Sequence, residues 1–219
     1  MRRLNQVWIA YALCLTTPFV SAASLCKSKV NMPKDLDQVY TSGQFRILYS
    51  TRAGSPHAIP SHKDSNKNKI PDYVENVAIQ ANATTEAFGY LGYIHPLQNQ
   101  RYKDQAHYID IHIKGMDRNG LAFENPQYNA YLSKDKNQKC ALSIALRHDL
   151  ENFPGTWSLV SHELFHLYQY GYAQYKAPWY LEGMANWGER IIRRTVDRKH
   201  LTPLPSNQAE FKANVLQKP

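Results

Sequence analysis

The sequence predicts an α+β fold, a small antiparallel or mixed sheet packed on helices. Strand-like alternation recurs up to about residue 146, helical periodicity appears once before that point and twice after it, and no segment repeats. With 219 residues, 43 % of them hydrophobic and 20 % charged, the chain has the size and composition of one folded domain.

Arg2 and Arg3 precede a mostly apolar stretch from Val7 to Val20 and then the small residues Ser21, Ala22 and Ala23. That order is the pattern of a secretory signal peptide, so residues 1–23 are expected to be removed and residues 24–219 to form the domain. The apolar stretch is too short to span a bilayer, and no other run approaches the needed length. The mature chain is therefore expected to lie in the periplasm or outside the cell, with no transmembrane segment. Leu25 before Cys26 argues against a lipid anchor, which needs a small residue there.

From Ser24 to Gly43 the chain is polar and irregular and reads as an arm. Phe45 to Ser50 alternates like a half-buried strand, and Ala53 to Lys69, with Gly54, Pro56 and Pro60, reads as a loop. A helix is expected from about Tyr73 to Tyr90, with Val74, Val77, Ala78, Ala81 and Phe88 on its apolar stripe. His107 to Lys114 alternates strictly and predicts a strand, with Ile109, Ile111 and Ile113 on one face. Leu121 to Leu132 suggests a hairpin arm broken at Asn125–Pro126, and Cys140 to Leu146 a short apolar strand. After the breaker Asn152-Phe153-Pro154-Gly155, one helix should start near Thr156. Another should run from about Trp179 to Arg194, with Pro178 in its tolerant first turn.

Composition narrows the partners. The formal charge is +8, but the cluster Arg190, Arg193, Arg194, Arg198 and Lys199 reads as a solvated helix face and its exit. No basic stripe is interleaved with aromatics, so nucleic acid is not an expected partner. Fifteen tyrosines suit a surface or a cleft, since a phenol has an apolar body and a polar tip. Cys14 falls in the signal segment, which leaves Cys26 and Cys140. In an oxidising compartment these read as one disulfide, two buried thiols being the other reading.

The densest chemistry is His162-Glu163-Leu164-Phe165-His166. On a helix, positions four apart share a face, so both imidazoles can reach one ion while Glu163 contacts a water beside it. Leu159, Val160, Leu164, Phe165 and Leu167 give that helix an apolar back to bury. Downstream, Glu182-Gly183-Met184-Ala185 opens the next helix. The two motifs together resemble the gluzincin metallopeptidases. The resemblance implies that Glu182 is the third zinc ligand and that a residue further along that helix orients His162. Asn186 stands where the clan often has an acidic group, and Glu189 is the alternative. The stretch Asp64 to Glu75, then Gly89-Tyr90-Leu91-Gly92-Tyr93, is similar to ill-characterised exported bacterial members.

The activity implied is hydrolysis of a peptide or protein substrate. Zinc on His162, His166 and Glu182 would activate a water, Glu163 would be the general base, and a protein donor would help stabilise the oxyanion. Tyr170, Tyr172, Tyr175, Tyr180 and His148 are candidates for that donor, and Cys140–Leu146 for the edge strand that pairs with substrate. Two other functions fit the same motif: an inactive zincin-like binding protein of the cell envelope, and a zinc amidase acting on cell-wall peptides.

Asp64 to Glu75 also matches a twelve-residue calcium loop, with Asp64, Asn66, Asn68, Asp72 and Glu75 as side-chain ligands and the Ile70 carbonyl as a sixth. Calcium is thus a second candidate ion. Lys69 replaces the usual glycine and would need a left-handed backbone. The alternative is that Asp72 caps the following helix, with Glu75 three residues on.

Overall fold

The computed structural model describes residues 26, 28–29, 33–129, 140–154, 158–173 and 177–192. The residues expected to form the signal peptide lie outside these. Among the described residues there are six strands and three α-helices: β1 Ser28–Lys29, β2 Gln38–Ser42, β3 Phe45–Tyr49, α1 Asp72–Tyr90, β4 Tyr108–Lys114, β5 Gly120–Tyr128, β6 Cys140–Arg147, α2 Leu159–Tyr172 and α3 Pro178–Ile192. The strands form one mixed sheet in the order β1-β5-β6-β4-β3-β2. β3, β4 and β6 run parallel at its centre, while β2 pairs antiparallel with β3 and β5 antiparallel with β6. The fold is α+β, as the sequence predicts.

The sheet lays one face against the helices. Phe45 and Ile47 of β3, Ile109, Ile111 and Ile113 of β4, and Leu142, Ile144 and Leu146 of β6 alternate onto that face. Opposite them stand Val74, Val77 and Ala81 of α1, and Val160, Leu164 and Leu167 of α2. Full burial of each large side chain contributes about 1.5–3 kcal/mol, so this layer anchors both helices. α1 packs over β3, α2 over β5 and β6, and α3 against α2.

Several elements depart from their predicted form. The arm contains β1 and β2, whose polar residues tolerate sheet edges. Every residue of β3 is buried, because β2 and β4 flank it and both its faces are covered; alternation alone suggested half burial. Residues 120–128 form a single strand with a register shift between Phe123 and Gln127, where Pro126 lacks an N–H. Residues 130–139, which include the end of the expected hairpin arm, lie outside the described residues. β6 is interior, flanked by β5 and β4, and so is not the edge strand expected of it.

The second face of β4 is buried and polar. Arg46 Nε and Nη2 donate to Asp110 at 2.6 and 3.0 Å, and the guanidinium lies 4.6 Å from the Tyr108 ring centre. His112 is 1 % exposed, and neither ring nitrogen has a hydrogen-bond partner. Burial, helped by the cations of Lys114 and Arg46, holds its pKa at about 3. An unfolded chain protonates histidine near 6.5. Between those values the unfolded state binds more protons, so this residue makes stability fall as pH drops from about 6.5 to about 3, by up to ~1.4 kcal/mol per pH unit. Asp110 acts the other way: burial raises its pKa to about 6 against the pull of Arg46, so between about 4 and 6 it loses stability as pH rises. A His112→Leu protein isolates the first effect. It should be more stable at neutral pH by about 1–3 kcal/mol, and its denaturant midpoints between pH 4 and 7 should lack the histidine's acid slope. Equal pH slopes in the two proteins would reject this account of His112.

Candidate metal centre

α2 and α3 bring the predicted metal residues together because small residues let them approach. Ala185 is fully buried, and a Cβ on Gly188 would sit 2.8 Å from the Phe165 ring. Glu182, Ala185 and Glu189 recur at helical spacing along the side of α3 nearest α2, and Ile192, one turn further, packs on Ala83 of α1.

Among the described residues, one group of three His, Cys, Asp or Glu side chains converges as metal ligands would: His162, His166 and Glu182, with one atom of each within 4.8 Å of the others. Nε2 of His162 lies 3.2 Å from one Glu182 oxygen, and Nε2 of His166 lies 3.6 Å from the other. Ligands about 2.0–2.1 Å from a tetrahedral ion stand roughly 3.3 Å apart, so the donor set fits zinc in spacing as well as type.

Each imidazole is oriented through its other nitrogen. His166 Nδ1 is 2.8 Å from Gln169 Oε1, and Gln169 Nε2 donates to the Leu181 carbonyl at 3.0 Å. Gln169 therefore ties one ligand to the residue just before another. His162 Nδ1 lies 3.5 Å from Glu189, whose other oxygen accepts from Ser158 Oγ. Glu189 thus takes the orienting place. Asn186 is exposed, rotated off the buried side of α3. Such partners fix the tautomer that leaves Nε2 free for a metal.

Glu163 is buried where β5 meets α2, and a Cβ on Gly120 would run into its carboxylate. Burial pushes the Glu163 carboxyl up to about 7; His162 opposes this, while Glu182 and Glu189 add to it. Burial works against a charge on His162, but the Glu189 hydrogen bond and the surrounding carboxylates outweigh it and raise its pKa. His166 shifts down, chiefly through burial, with the Gln169 bond opposing. Three carboxylates around two imidazoles make a pocket whose charge a divalent cation would balance.

The oxyanion candidates separate. Tyr170 stacks on His166, ring centres 6.0 Å apart and planes 16° from parallel, and feels the charge of Glu163. The Tyr172 hydroxyl accepts from the Ile94 N–H, Tyr180 is half exposed on α3, and His148 bonds the Pro56 carbonyl on the loop after β3. Tyr175 lies outside the described residues.

The loop from Asp64 to Glu75 is knitted by its own hydrogen bonds. Asp64 accepts from the N–H groups of Asn68 and Lys69, Asn68 Oδ1 from Ile70, and Asp72 from Ser65; Glu75 accepts from the amides of Asn66 and Asn68. Lys69 adopts the left-handed φ of 72° that the calcium loop requires at this place. The carboxylates of Asp64, Asp72 and Glu75 are not drawn together as the metal ligands are. Asp72 is the first residue of α1 rather than its cap, which falls on Pro71 without a side-chain bond. The predicted capping arrangement is therefore absent.

Cys26 and Cys140 are free thiols in hydrogen-bonding contact, and burial together with that contact raises the pKa of Cys26.

Sequence reasoning missed Gln169 and Gly120. Gln169 carries a local signal, three residues after His166 and one helical turn away; Gly120 carries none. Comparison of the chain with protein-family models, with curated proteins and with solved structures gives no match.

Proposed function

We propose that the protein is an exported zinc-dependent metallopeptidase in which His162, His166 and Glu182 hold the ion and Glu163 is the general base. One observation carries the reading: both Nε2 atoms converge on Glu182 while Glu189 and Gln169 occupy the opposite nitrogens. A histidine pair on a solvated helix face has no reason to be held so. When bound, zinc supplies a Lewis acid that lowers the pKa of a water molecule and polarises the substrate carbonyl.

The chain's own residues supply the rest. Glu163 takes a proton from the attacking water and passes it to the leaving amine, tasks suited to a carboxyl whose burial raises its pKa. Tyr170, whose ring stacks on His166, is the phenol assigned to donate to the oxyanion. An extended peptide binds along the outer side of β5, where residues Gly120 to Phe123 pair only with β6 among the described residues. The bond to be cut lies at the Gly120 end, beside Glu163. β1 pairs with Gln127 and Tyr128 at the far end and bounds the open stretch.

The test is zinc analysis of the purified protein together with cleavage of a diverse peptide library. Chelation should abolish cleavage and added zinc should restore it. A zinc-loaded protein that cuts nothing would hand the function to the envelope-binding reading, and turnover of cell-wall peptides alone to the amidase reading.

Export adds an expectation at the cysteines. Protein recovered from the oxidising compartment should carry a Cys26–Cys140 bridge, so unreduced denatured protein takes up no alkylating reagent, and reduction lowers stability by about 2–4 kcal/mol. Two alkylatable thiols would count against both the bridge and the export reading.

A further inference from the structure

β5 and α2 are tied together at two places, with His166 between them. At the first, Gly120 lacks the Cβ that would run into the Glu163 carboxylate. At the second, Arg101 reaches across both elements. Its Nη1 donates to the Tyr170 carbonyl at 2.6 Å and its Nη2 to Glu124 at 2.8 Å. From Glu163 to Tyr170 is about 10 Å along the helix, and from Gly120 to Glu124 about 13 Å along the strand. The two elements therefore run side by side, and the stretch Gly120 to Phe123, where a peptide would pair, lies between the ties.

The turn that carries Arg101 fits this place closely. Asn99 Oδ1 accepts from the Arg101 N–H at 2.9 Å, and Gln105 Nε2 donates to the Arg101 carbonyl at 2.6 Å. Gly171 lets the turn sit on α2, since a Cβ there would come within 2.9 Å of the Asn99 side chain. Tyr102 is buried under the guanidinium, its ring centre 5.2 Å away, and its hydroxyl donates to the Glu124 carbonyl at 2.6 Å. One turn thus grips Glu124 by both side chain and backbone. The bond to Tyr170 has an ordinary explanation by itself, because the last carbonyls of a helix lack intrahelical partners and an arginine often takes one. The bond to Glu124 does not follow from capping. It is what joins the helix to the strand.

The join falls at the reacting groups. The Tyr170 ring stacks on His166. Burial raises the pKa of its phenol, and the charges of Glu163, Glu124 and Glu182 add to the rise, so carboxylates of α2, β5 and α3 all reach it.

We propose that Arg101 is a positioning residue for cleavage: it sets the distance between β5, where the peptide pairs, and α2, which carries both histidine ligands and Tyr170. The inference rests on the peptidase reading and adds to it a residue that touches neither ion nor substrate. A misplacement of about 1 Å, caused far from the reacting atoms, lowers a rate by roughly 10²-fold.

The experiment compares zinc-loaded full-length wild type, Arg101→Met, Glu124→Ala and the double variant on a peptide that the wild type cuts. Each single substitution should lower kcat about 10- to 100-fold while KM moves less than about 3-fold. Zinc affinity, read by chelator competition, should stay within about 3-fold of the wild type. The double variant should be no slower than the slower single, because both substitutions remove the same tie. A helix cap alone predicts a normal Glu124→Ala protein, and unrelated structural damage predicts losses that multiply. Either result overturns the proposal, as does an Arg101→Met protein that cuts at the wild-type rate or loses its zinc. If Arg101→Met does not fold, Glu124→Ala carries the test alone, at a partly exposed strand position.

If the wild type cuts no peptide, the peptidase reading fails separately and the spacing is read by binding. Acetohydroxamate engages the zinc alone, whereas alanine-peptide hydroxamates, extended from either side of the same group, also lie along β5. A peptide hydroxamate should bind the wild type more tightly than acetohydroxamate. Arg101→Met and Glu124→Ala should each erase most of that gain and bind acetohydroxamate as the wild type does. No gain in the wild type, or a gain kept in both variants, overturns the proposal.

Discussion

A Glu163→Gln protein should keep its zinc and its fold and lose peptide cleavage by roughly 10²–10⁴-fold. Glutamine has the shape of glutamate and can still hydrogen-bond a water beside the ion, but it cannot accept a proton. The burial of Glu163 makes the comparison clean, since the amide fills the same space under Gly120 and removes an ionisable group from a dry site. Zinc content, circular dichroism and melting temperature should match the wild type while kcat falls. A variant that cuts as fast as the wild type would remove Glu163 from the mechanism. A variant that loses zinc would show that the residue serves the ion rather than the water.

The second large effect is on the metal itself. His162→Ala, His166→Ala and Glu182→Ala should each abolish tight zinc binding, because two remaining donors do not hold the ion against water. Melting temperature should drop with them, since the ion would tie α2 to α3. Substitutions one step out give a sharper test of this geometry. Glu189→Ala and Gln169→Leu should each weaken zinc binding by about 10- to 100-fold, Gln169→Glu should recover much of the loss, and Asn186→Ala should change nothing measurable. Competition titration with a chromophoric chelator measures all of these without any assay of activity. If Glu182→Ala binds zinc as the wild type does, the third ligand lies elsewhere. If Asn186→Ala weakens binding while Glu189→Ala does not, α3 is rotated from the position that seats Gly188 on Phe165.

The sequence by itself determined what is local in the chain. Two histidines four residues apart share a helix face wherever that helix sits, so His162 and His166 were legible together with the burial of Leu164 and Leu167 behind them. The alternation of Ile109, Ile111 and Ile113 identified β4 for the same reason, and Pro178 marked the start of α3. Tertiary structure alone decided what depends on how these pieces meet. Glu189 replaces Asn186 at His162 because Ala185 and Gly188 seat one side of α3 on Phe165, and a rotation of a few tens of degrees about a helix axis separates a half-buried carboxylate from an exposed amide. β5, rather than β6, borders Glu163 because strand order follows from pairing between segments distant in sequence, which no periodicity records. Asp110 and His112 look like the wet side of an amphipathic strand, yet both are buried, because alternation reports polarity and not whether the second face is covered.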